Sequence, residues 1–100
     1  MSRKHPDHFE LADRCLTELK ILEKKTGDVL KPLRQIASEL RPSTAQQFSS
    51  DQVINALRDQ AFMSVSRLAE VIATEPASQE IASLWVRALD HLGKYRREAE

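Results

Sequence analysis

The chain has 100 residues, which suits one domain near the lower size at which a single hydrophobic core is self-sufficient. Hydrophobic residues at 41% and charged residues at 30% describe a globular rather than a disordered protein, and two glycines with four prolines leave little material for turns, which argues for a few long helices. Fifteen basic and fifteen acidic residues cancel, so no whole-molecule field draws the chain to nucleic acid or to an anionic membrane, and one cysteine excludes an intrachain disulfide.

The lone cysteine suits a reducing compartment, and we expect a cytoplasmic protein. No apolar run approaches the ~20 residues of a membrane span, and the basic start is followed by Asp7 and an amphipathic stretch rather than by a secretory signal's apolar run.

Residues 1–6 are polar, end in Pro6 and read as a frayed tail. The first element is expected over 7–41, with Asp7 as its N-cap. Ala12, Cys15, Leu19, Leu22, Thr26, Val29, Leu33, Ile36 and Leu40 follow one another in alternating steps of three and four, a heptad pattern that keeps one helix face turned to the same side. Phe9, Leu16, Leu30 and Ala37 widen that stripe beyond what a two-stranded zipper needs. The helix is therefore expected to lie across a core and to share an edge with a second subunit, with Leu19, Leu22, Val29, Leu33, Ile36 and Leu40 as the core and dimer seam.

Gly27 and Pro32 threaten its continuity, because a proline inside a helix removes a donor and clashes with the preceding turn at a cost of about 3 kcal/mol. The unchanged heptad phase favours a bent but continuous helix. The other reading has Thr26 or Asp28 cap a new helix with Pro32 in an early turn.

Arg41-Pro42 ends this element, and 42–50 reads as a polar connection that places Phe48 on the core, with Ser49 or Ser50 capping the next helix. Over 51–74, Val53, Ile54, Leu57, Ala61, Val65, Leu68, Val71 and Ile72 share a third of the helical circumference. Thr74-Glu75-Pro76 then reads as a cap with proline in the first helical position, opening a last helix over 76–96 with Ile81, Leu84, Trp85, Ala88, Leu89, Leu92 and Tyr95 on one stripe. The fold class is all-α, with three or four helices: a long kinked N-terminal helix against a C-terminal αα-hairpin. The hairpin is too small to cover the long helix's apolar face, so a homodimer is expected.

Chemical signatures are sparse. His5 and His8 flank Asp7 without further ligands at metal-site spacing, His91 falls on the polar face of the last helix, and Cys15 sits in the apolar seam with nothing basic on its own face to activate it. No nucleophile elbow, zinc-protease motif or glycine-rich phosphate loop occurs. Neither catalysis nor a cofactor nor a metal is expected.

More informative are large apolar residues that break the amphipathic plan. Leu11 and Ile21 leave the stripe of the first helix, Phe62 lies at the edge of the second stripe, and Met63 faces nearly opposite it. Phe62 and Met63, adjacent in sequence, are the preferred anchor for another chain. Lys20, Lys24, Lys31, Arg34 and Arg41 make a basic face along the long helix, which suits the helix dipole or an acidic partner.

In length, in the heptad-bearing helix through Leu33, Ile36 and Leu40, and in the later helices with Trp85, the chain resembles the small helical (QslA-like) anti-activators of bacterial quorum sensing. That resemblance implies binding to a LuxR-type transcription regulator and a block of its dimerisation. The expected function is thus a non-enzymatic protein-interaction module that sequesters a larger protein such as a transcription activator. The alternatives are a nucleic-acid accessory protein using the basic face, or a secretion or assembly chaperone or adaptor.

Overall fold

The computed structural model describes residues 4–25, 27–41 and 51–100. It is all-α, with α1 at Pro6–Glu23, α2 at Leu30–Leu40, α3 at Gln52–Thr74 and α4 at Ile81–Ala99. Each helix packs on its neighbour in sequence, and α4 closes the ring on α1, so four helices surround one core.

The element expected over 7–41 is two helices. After Glu23 the Lys24 and Lys25 amides still reach the Ile21 and Leu22 carbonyls, and Gly27 then turns the chain at φ +114°, a conformation that L side chains rarely adopt. The Asp28 carboxylate accepts from the Leu30 amide at 2.9 Å, and Val29 stands at the N-cap position of α2. Pro32 therefore lies in the first turn, where the helix has no carbonyl for its missing N–H and no preceding turn to clash with. Thr26 lies outside the described residues. The heptad phase survives the break because both helices face the same core: Leu19, Leu22, Leu33, Ile36 and Leu40 are almost fully buried and Val29 is partly so. These side chains, expected to serve a second subunit as well, are enclosed by the chain's own helices.

The start of α1 also differs. Pro6, not Asp7, opens the helix, since its fixed φ suits the first helical position, and His5 occupies the N-cap position. Residues 4 and 5 are not a frayed tail: the Lys4 amide donates to the Glu100 carbonyl at 2.9 Å and the His5 amide to the Ala99 carbonyl at 3.1 Å. These bonds satisfy carbonyls that the end of α4 would leave without intrahelical donors, and α4 runs to Ala99 rather than stopping at 96.

Asp51 caps α3, its carboxylate accepting from the Val53 amide at 2.9 Å, whose donation holds the group below the usual carboxylate range. Ser49, Ser50, Phe48 and the rest of the expected 42–50 connection lie outside the described residues. Val53, expected on the core stripe, is exposed, and Arg58 and Ser64 are buried there instead. Between α3 and α4, Pro76 does not open a helix. The Ser78 amide bonds back to Glu75, the Ser78 hydroxyl accepts from the Glu80 amide, and α4 begins only at Ile81.

Candidate functional site

Two polar clusters stand out, each built on a histidine. The first closes one end of the bundle. His8 on α1 is 1% exposed, and its Nδ1 lies 2.5 Å from the Tyr95 hydroxyl on α4. The Arg58 guanidinium of α3 is the charged group that acts on both rings. Burial first, and the Arg58 guanidinium second, hold the His8 imidazole down to about 4, and burial pushes the Tyr95 phenol up. Above them His5 Nε2 meets the Asp51 carboxylate at 3.2 Å, and Lys4 pairs with Glu98 at 3.2 Å. His5 and His8 are thus parts of a buried seal, held by three different helices. Among the described residues no group of His, Cys, Asp and Glu is arranged to hold a metal.

The second cluster lies in the open on the α3/α4 face. Gln60, Met63, Ser64 and Arg67 recur on α3 at the spacing of one helix side. Leu84, Arg87 and His91 do the same on α4, and together they line a cleft of about 390 Å³. The Ser64 hydroxyl and His91 Nδ1 bridge it in a hydrogen bond. His91, expected to be solvated on a polar face, is therefore half-buried and engaged. Ser64 sits mid-helix, where backbone amides are committed to carbonyls one turn back, so the bridge has no pair of free amides beside it to stabilise an oxyanion.

The four residues expected to bind a partner are not one surface. Leu11 is only 6% exposed, because α1 is flanked by both α2 and α4 and needs a wider apolar face than the heptad stripe supplies. Ile21 is exposed and lines none of the clefts described here. Phe62 and Met63 diverge, since consecutive helical residues do not share a face. Phe62 is partly buried and lines a cleft with Arg34 and Arg41 of α2, whereas Met63, 61% exposed, stands in the α3/α4 cleft.

The basic face divides in the same way. Lys20 and Lys24 line a cleft with Leu89 and Arg97 of α4, Arg34 and Arg41 line the one beside Phe62, and Lys31 is exposed elsewhere on α2. The stripe drawn along one long helix therefore does not form.

Cys15 is buried against α2 with its sulfur 3.7 Å from Glu39, and burial followed by that carboxylate pushes the thiol up to about 12. Among the described residues no helix is long and apolar enough to cross a membrane.

The sequence made the exposure of Met63 legible but not its neighbours in the cleft. The spacing of Gln60, Ser64 and Arg67 around it was available; which face of α4 lies opposite was not. No family model, curated protein or solved structure matches this chain, so the cleft's own geometry carries the functional reading.

Proposed function

We propose that the chain is a non-enzymatic helical interaction module, a regulator that binds and sequesters a larger protein such as a transcription activator. The observation that carries this reading is Met63: a flexible apolar side chain, mostly exposed, placed beside Leu84 in a cleft between two helices rather than scattered on a convex surface. Such a side chain adapts to a partner and becomes desolvated when the cleft is filled. The Cys15 thiol, buried and pushed up to about 12, is poorly placed to act as a nucleophile, which supports binding as the use of this surface.

Sequestration follows if apolar side chains of the module occupy the surface through which the target would pair with its own second copy. Affinity capture from the native host with the wild-type chain should then retain a defined larger protein in fixed stoichiometry, and that protein should lose self-association. Met63→Asp, at an exposed helical position, should keep helicity by circular dichroism and lose the capture. Capture of nothing by the wild-type chain, or equal capture by the variant, defeats this reading.

A further inference from the structure

The α3/α4 cleft differs in charge from its neighbours. The cleft beside Phe62 includes Glu70, the one between α1 and α4 includes Glu23 and Asp90, the one between α1 and α2 includes Glu18 and Glu39, and the one beside Val53 includes Glu98. Around Met63 the charged lining among the described residues is Arg67 and Arg87, with no carboxylate. Arg67 meets Glu70 only at 3.8 Å with both side chains more than half exposed, and Glu70 belongs to the other cleft. In a chain of zero net charge this is a local surplus of positive charge around an apolar floor.

The two arginines are also placed together. α3 and α4 run antiparallel through their short link, and Ser64 touches His91. Arg67 is three residues after Ser64 and Arg87 four before His91, so both stems rise about one turn to the same side of that bridge. Each lining stripe covers eight residues of helix, from Gln60 to Arg67 and from Leu84 to His91, so the groove runs roughly 10 Å along both axes and matches about two turns of a third helix laid between them.

We propose that this groove docks an acidic amphipathic helix of a partner protein, its apolar residues on Met63 and its carboxylates on Arg67 and Arg87. The proposal rests on the interaction-module reading and names the chemistry of the partner. A helix suits the groove better than a phosphate backbone, because nucleic acid gains affinity from many cations in a row and the groove offers two beside an apolar floor.

The test is fluorescence anisotropy with the full chain and a labelled alanine-rich peptide of about 18 residues, long enough to be helical, carrying leucines on one face and glutamates flanking them. The peptide should bind with an affinity that falls as salt rises. Replacing its glutamates by lysines, or changing the chain to Arg67→Glu with Arg87→Glu, should each weaken binding by roughly tenfold or more. Met63→Asp should also weaken it, whereas Arg34→Glu in the neighbouring cleft should not. Both cleft arginines are exposed, so the double variant should keep its helicity.

Equal binding of the lysine peptide, an unchanged double variant, displacement by a duplex oligonucleotide, or no binding at all overturns the proposal. Capture of the native partner separates the two levels. A partner held equally by wild type and the double variant overturns the acidic-helix assignment and leaves the module reading standing; absence of any captured partner removes the module reading itself.

Discussion

His8 and His91 each meet a hydroxyl through Nδ1, and the two pairs lie in opposite kinds of surroundings. Around His8 and Tyr95 the chain has spent its first and last described residues on cover: Lys4 and His5 bond the end of α4, and Asp51 closes over His5. Ser64 and His91 instead border a cleft that, among the described residues, also has Met63 and Leu84 in its lining. Similar hydrogen-bond chemistry is thus enclosed as a structural tie at His8, and at His91 borders the cleft proposed above as a binding floor. What decides the role is the cover, not the residue pair.

This contrast can be tested through stability. The largest effect is expected at Tyr95, fully buried among the helices: Tyr95→Ala should cost about 3–5 kcal/mol and remove the bond that holds His8, which urea denaturation would show as a large fall in midpoint or as outright unfolding.

Next comes the response to acid. Folded His8 takes a proton only near 4, while the unfolded side chain takes one near 6.5. As the pH falls through that interval the unfolded chain binds a proton that the folded chain refuses, so this group's stabilising contribution is full above 6.5 and declines by about 3 kcal/mol by pH 4, with no further change below. His8→Asn keeps an acceptor for the Tyr95 hydroxyl but does not titrate. Urea melts over that range should show the wild type losing more stability than the variant, and parallel losses would place the acid response elsewhere.

The smallest effect is expected in the open cleft. His91→Gln leaves Ser64 able to turn to its own helix's carbonyl, and should move stability by no more than about 0.5 kcal/mol. A loss comparable with that at Tyr95 would show the bridge to be a structural tie and would erase the distinction drawn between the two pairs.

The all-α class and the α3 range were legible because apolar periodicity records burial, and burial dominates helix packing. The break at Gly27 was not, because heptad phase reports which core a residue faces and not whether the chain between two such residues is helical. Leu33 and Leu19 face one core from two helices, and their spacing alone cannot distinguish that from one helix. Pro76 misled for a related reason: a proline suited to a first helical position also suits a turn, and the Ser78–Glu80 bond settles the matter through a side chain. Met63 was legible as an apolar side chain out of place. Its separation from Phe62 needed the third dimension, and so did Arg87, whose role depends on the register of α4 against α3.

The pairing of residues 4 and 5 with residues 99 and 100 has a consequence for synthesis. α1 emerges from the ribosome before α4, its main packing surface. At about 5–20 residues per second, the stripe through Ala12, Cys15, Leu19 and Leu22 waits several seconds with only α2 to lean on. Until α4 arrives, the nascent chain presents an apolar face that the finished molecule buries almost completely.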